Sequence, residues 1–113
     1  MRVVIVGAGE VGSNIAQSLA DSHEVVVIDV DAERVDALQY GADVLAVNGD
    51  GTKLETLMEA GVGETDLLIA STDDDETNMV TCGTAKTLGN PFTIARVKDT
   101  KFLNTWRQSE GAF

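Results

Sequence analysis

Five short apolar runs punctuate the chain, and each is followed by a stretch in which apolar residues recur at helical spacing. Runs of four or five mostly β-branched residues without alternation mark parallel strands covered on both faces. Apolar residues three and four apart mark amphipathic helices. Strands are predicted at about residues 2–6, 24–28, 44–47, 67–70 and 92–97. Helices are predicted at about 10–21, from an Asp31 cap to Tyr40, from a Thr52 cap to Gly61, at 75–88 and at 99–108. Ile15, Ala16 and Leu19 fall at helical spacing in the first helix, the second carries Val35 and Leu38, and the third carries Leu54, Leu57 and Met58. Gly61 and Gly89-Asn90-Pro91 stop the third and fourth helices. Strict alternation with short connections predicts an α/β fold, a doubly wound parallel sheet with helices on both faces.

The first strand-to-helix junction carries the most chemistry. Val3 to Gly12 reads as a β-branched run meeting Gly7-x-Gly9-x-x-Gly12. Gly7 allows a tight turn, Gly9 leaves room for a pyrophosphate against bare backbone, and Gly12 lets the helix pack on the sheet. The first helical amides and the positive end of the dipole then face the anion. The second strand ends in Asp29, 20 residues beyond Gly9, where a carboxylate accepts ribose hydroxyls of an adenosine. Strand, glycines, helix and acid together point to a Rossmann-like dinucleotide site. Asp29 favours an unphosphorylated ribose, and Arg34 is the nearby base able to meet a 2′-phosphate.

All 113 residues read as one domain, enough for a single core and too few for a nucleotide domain plus a substrate domain. After the last helix a sixth strand is expected in this kind of sheet, so the chain is expected to be an N-terminal piece of a longer protein. No apolar stretch approaches the ~20 residues of a membrane span, and no signal peptide is read, so a cytoplasmic location without direct membrane insertion is expected. Cys82 is the single cysteine, which suits a reducing compartment. Nineteen acids against eight bases give a net charge of −11, which argues against nucleic acid as a partner. The acidity fits either a cationic partner or a surface adapted to high salt; abundant Asp, Thr, Val and Ala with scarce Lys favours the second.

Ligands of parallel sheets bind beyond the carboxyl ends of the strands. After the third strand stands Asn48-Gly49-Asp50-Gly51-Thr52, which reads either as an adenine contact through Asp50, with Gly49 and Gly51 permitting close approach, or as a turn with a Thr cap. After the fourth stands Ser71-Thr72-Asp73, placed to touch a ribose or the second half of a dinucleotide; Asp74 to Glu76 read as an acidic helix start. Arg96, near the end of the fifth strand, which reads as a central one, is costly to bury unless it meets an anion: a ligand phosphate, a partner's acid or an internal ion pair. His23 and Cys82 have no catalytic company, and no catalytic or metal-ligating set is read.

Gly7-Ala8-Gly9-Glu10-Val11-Gly12, Ile28-Asp29-Val30-Asp31, Gly49-Asp50-Gly51-Thr52, Asp75-Glu76-Thr77-Asn78-Met79 and Ile94-Ala95-Arg96-Val97 together resemble the RCK (KTN, or TrkA-N) domains of potassium channels and transporters, in particular the nucleotide-binding domain of Trk-type regulatory subunits. The resemblance covers essentially the whole chain. It implies a regulatory module rather than an enzyme, one that binds NAD or NADH, or ATP or ADP, and gates a membrane potassium transporter or channel subunit from its cytoplasmic face, as a homo-oligomer in the full-length protein. It implies that Gly7, Ala8, Gly9, Glu10 and Val11 hold the phosphates, that Asp29 holds the adenosine ribose beside Val30 and Asp31, that Asp50, Gly51 and Thr52 lie by the adenine, that Ser71, Thr72 and Asp73 line the far side, and that Arg96 reaches phosphate or a neighbouring subunit. Two alternatives stand beside it: the cofactor half of an NAD-dependent dehydrogenase, recognisable by hydride transfer, and an oligomerisation module with a vestigial cleft, recognisable by failure to bind nucleotide.

Overall fold

In the computed structural model, which describes residues 1–109 and 112–113, five strands form one parallel sheet. The strands are β1 (Arg2–Val6), β2 (Glu24–Asp29), β3 (Leu45–Asn48), β4 (Leu67–Ala70) and β5 (Phe92–Ala95). The helices are α1 (Glu10–Leu19), α2 (Ala32–Gly41), α3 (Leu54–Glu59), α4 (Asp75–Lys86) and α5 (Thr100–Gln108), with a 3-10 turn at Val62–Glu64 that the sequence pattern does not show. The strand order is β3-β2-β1-β4-β5. The chain therefore winds outward from β1 to one edge, returns to β4 and winds to the other, and the carboxyl ends of β1 and β4 form the switch point. The expected doubly wound sheet is the observed one; Glu110 and Gly111, in the segment after the last helix, lie outside the described residues.

The central strands β1, β2 and β4 bury both faces, as their composition requires, whereas the edge strands β3 and β5 are not covered on both faces as expected and leave Leu45, Phe92 and Ile94 exposed. Val3 and Ile5 of β1 point with Val25, Val27 and Ile69 towards Ala16 of α1 and Leu38 of α2. Val4 and Val6 point with Ile28 and Leu68 towards Leu57 of α3, Val62, and Cys82 and Ala85 of α4. Each such side chain contributes about 1.5–3 kcal/mol when fully buried. These two layers hold the carboxyl ends of the strands in fixed register, Val6 against Ile28 and Ala70.

Three local expectations are corrected. Thr52 does not cap α3: the helix starts at Leu54 after an N-cap Lys53 that makes no side-chain cap bond, because the Thr52 hydroxyl donates to Asp50 Oδ1 at 2.7 Å instead. The fifth strand stops at Ala95 rather than reaching Val97, since the Arg96 carbonyl and the Lys98 and Asp99 amides are taken by side chains of α4. Arg96 is consequently not in a central strand: β5 is an edge, the side chain is 36% exposed, and Nη1 lies 3.2 Å from Asp73 Oδ1.

Candidate functional site

A cavity of about 580 Å³ opens over the carboxyl ends of β1, β2 and β4, within the 300–1,000 Å³ typical of small-ligand sites. Its near wall is the glycine turn. Gly7 adopts φ +109°, and a Cβ there would come within 2.9 Å of the Thr72 nitrogen, so the position excludes other residues twice over. A Cβ on Gly12 would stand 1.7 Å from the Gly7 carbonyl oxygen, which shows how closely α1 lies on the turn. Gly9 differs: the nearest atom to its Cβ position is Arg34 Nη1 at 3.7 Å, so the missing side chain leaves open space.

That space lies at the start of α1. Asp31, Asp74 and Asp99 cap α2, α4 and α5, whereas Gly9 caps α1 without a side-chain bond. The first amides of α1 thus keep their donors for an anion, with the helix dipole behind them.

Asp29 is buried, at 7% exposure, and reaches the cavity floor. Its Oδ2 accepts the Ala8 N–H at 2.6 Å and its Oδ1 the Asp31 N–H at 2.8 Å. One carboxylate therefore pins both the glycine turn and the start of α2, and its remaining lone pairs are what a ribose can use. Arg34 lies beside it, Nη1 3.7 Å from Asp29 Oδ2 and Nε 3.9 Å from Asp31 Oδ2.

Of the residues expected from sequence, Gly7, Gly9, Glu10, Val11, Asp29, Val30, Asp50, Gly51, Ser71, Thr72, Asp73 and Arg96 line this one cavity. Three do not. Ala8 turns its amide to Asp29, Asp31 is spent as the cap of α2, and Thr52 is bonded to Asp50. At Gly51 a Cβ would come within 2.4 Å of Val6 Cγ1, so packing on β1 accounts for that glycine rather than ligand approach. The hydroxyls of Ser71 and Thr72 also turn inward, to Val6 O at 3.3 Å and to Asn78 Oδ1 at 2.6 Å. Arg34, Asp74 and Thr77 line the cavity without having been assigned to it. Arg34 was visible in the sequence as the base nearest Asp29; Asp74 and Thr77 had no signal beyond a helix start.

Three acids in and around the cleft are held below the usual carboxylate range: Asp50 by the Thr52 hydroxyl and then its N–H, Asp74 by the Thr77 hydroxyl and then its N–H, and Asp75 by the Lys98 and then the Asp99 N–H. A lowered folded value means stability that is whole above the unfolded value of about 3.9 and is lost as pH falls through the folded one. Asp75→Asn is expected to lower the melting temperature at pH 7, with the gap from wild type steady down to about pH 4 and closing as the pH is taken below it. Comparing the two proteins cancels the shared change in net charge. A gap independent of pH would show that the carboxylate charge of Asp75 is immaterial.

Groups with reactive potential stand elsewhere. Burial pushes the Cys82 thiol up to about 12 in the core. His23 lines a separate cavity at the amino ends of the strands, and Tyr40 is 94% exposed on α2.

The sequence profile of the TrkA-N domain matches residues 3–112. The Trk system potassium uptake protein TrkA homolog of Archaeoglobus fulgidus is 38% identical over 104 residues, covering 92% of this chain and 24% of that protein. The chain spans about a quarter of the length of the curated relatives it matches. Among solved structures, the TrkA-N domain of inner membrane protein ybaL from Escherichia coli superposes with a TM-score of 0.86 at 25% identity, covering 95% of this chain and 80% of that one. The GsuK channel bound to NAD gives 0.83 at 22% identity, covering 96% of this chain and 20% of that one, a likeness of fold.

Proposed function

The chain belongs to the TrkA-N family, and from that premise we propose that it is a regulatory domain that binds NAD or NADH, or an adenine nucleotide, and through it controls a membrane potassium transporter or channel subunit. The observation that carries this reading is the open space over Gly9 at the uncapped start of α1, one residue from the amide that Asp29 holds. Pyrophosphate fits there against free amides, with the adenosine ribose at Asp29 and the adenine towards Asp50. Arg34 and Arg96 lie on opposite sides of the cleft and offset part of its acidity against a polyanion. When bound, the cofactor supplies only a difference in charge and shape between its oxidised and reduced forms, which is a signal rather than a reagent.

Relatives support the regulatory part. The curated ones are named potassium uptake proteins, and the GsuK channel, part of which shares this fold, is bound to NAD. A ligand controls a partner only by binding one conformation better than another, with couplings typically of ~1–3 kcal/mol. In this reading the full-length protein is a homo-oligomer on the cytoplasmic face of the membrane, held there by the transporter; no helix of the described residues is long and apolar enough to cross a membrane. Residues 1–113 form its N-terminal nucleotide-binding domain.

The test is calorimetry with NAD⁺, NADH, NADPH, ATP, ADP and AMP. NADH is expected to bind, and Asp29→Asn is expected to weaken it about tenfold, the loss of roughly one charge-assisted hydrogen bond, while narrowing the preference for NADH over NADPH. Unchanged affinities would remove Asp29 from the ribose, and hydride transfer to candidate alcohols or hydroxy acids would replace the regulatory reading with a dehydrogenase.

A further inference from the structure

The segment Asp75-Glu76-Thr77-Asn78-Met79 is left largely unused by the site above: Asp75 and Asn78 are buried yet line no part of the cavity. Asn78 is 0% exposed, and every hydrogen-bonding position of its amide is filled. Its Oδ1 accepts the Thr72 N–H at 3.0 Å and the Thr72 hydroxyl at 2.6 Å. Its Nδ2 donates to Thr72 O at 3.0 Å and to Arg96 O at 2.8 Å. Less than one turn earlier, Asp75 Oδ1 accepts the Lys98 N–H at 2.9 Å and Oδ2 the Asp99 N–H at 2.8 Å. Asp99 in turn caps α5 by accepting the Lys101 N–H at 3.0 Å.

The start of α4 therefore grips three pieces of chain: the loop bearing Thr72 and Asp73, the end of β5 bearing Arg96, and the first turn of α5. The grip on α5 matters because α5 has no buried residue of its own to hold its start in place. Separating any of these pieces strands a buried amide or carboxylate without partners, which is costly, so they shift together or not at all.

We propose that Asp75 and Asn78 are positioning residues that join the far wall of the cleft and the start of α5 into one body, so that a ligand touching Thr72 or Arg96 is registered at α5. The proposal rests on the reading of the cleft as a dinucleotide site. It differs from a purely structural role in demanding that two segments remote in sequence respond together.

Hydrogen exchange of the whole chain, with and without saturating NADH, tests it. In the wild type the amides of residues 72–75 and of 98–101 are expected to gain protection together. Asp75→Asn, which leaves Asn78 and the cleft wall in place, is expected to keep the gain at 72–75 and to lose it at 98–101. A ligand-free arm uses Thr72→Val, which removes the hydroxyl that donates to Asn78 Oδ1 and accepts the Asp74 N–H, and is expected to speed exchange at 98–101 about threefold or more, in keeping with the loss of the bond to Asn78. Protection by NADH confined to 72–75 in the wild type, or a gain at 98–101 that survives Asp75→Asn, overturns the coupling. If NADH protects neither segment the dinucleotide reading falls, and the Thr72→Val arm decides the coupling by itself: unchanged exchange at 98–101 overturns it.

Discussion

Gly12→Ala is expected to destabilise the domain by about 4 kcal/mol or more, a large share of the 5–15 kcal/mol typical of a folded domain. Helix propensity alone argues the other way, since alanine in place of glycine inside α1 favours the helix by about 1 kcal/mol. Contact decides the sign. The new Cβ would stand 1.7 Å from the Gly7 carbonyl oxygen and 2.8 Å from its carbonyl carbon, both backbone atoms that cannot rotate away. The helix must lift from the turn, and Gly7 is fixed from behind by its N–H bond to Ile28 O at 2.8 Å and by the Thr72 backbone. Urea denaturation measures the loss; a change below about 1 kcal/mol would mean that α1 can slide on the sheet without cost, which the close packing of protein interiors forbids.

Gly9→Ala is expected to do the converse, lowering NADH affinity about 100-fold, or ~2.7 kcal/mol, while the fold survives. Gly9 has φ −70°, a conformation open to any residue, and its Cβ position meets only Arg34 Nη1 at 3.7 Å. The cost to stability is that of a poorer helix cap, about 1 kcal/mol, or roughly 4–8 °C in melting temperature. The methyl group instead occupies the space in which a pyrophosphate would rest on the first amides of α1. Calorimetry beside thermal unfolding separates the two effects. Full NADH affinity in a folded Gly9→Ala protein would place the phosphates somewhere other than this turn. Two glycines three residues apart thus serve different ends, one the packing of a helix and the other the space above it.

The same contrast explains what could be read in advance. The glycine turn and Asp29 were legible because a βαβ unit is local: one strand, one helix and the next strand's end bring Ala8 and Asp29 together across 21 residues of regular structure. The alternation of elements and the two-faced burial of the central strands were legible because the periods of strand and helix differ, but the same apolar composition in β3 and β5 did not reveal that these are edges. Side chains that choose between neighbours were not. Thr52 has the chemistry of a helix cap, but Asp50 two residues earlier takes its hydroxyl and its N–H. Gly51 has the freedom that a ligand approach requires, but Val6, far away in sequence, is what fills the space beside it. Arg96 looked like a cation in need of burial only as long as its strand was taken to be central; the strand order makes β5 an edge.

The sequence by itself determined the class of fold, the turn that faces a phosphate and the acid that stands at its side, because these follow from periodicity and from spacing along a short stretch of chain. Only the tertiary structure decided which residues share one cavity and how its far wall is held. Asn78 meets the Arg96 carbonyl 18 residues on, Asp75 meets the Lys98 and Asp99 amides 23 and 24 residues on, and Asp73 meets Arg96 across 23. Such pairs arise where β4 and β5 lie side by side with α4 between them in the chain, and their hydrogen bonds depend on three-dimensional register that no local pattern encodes.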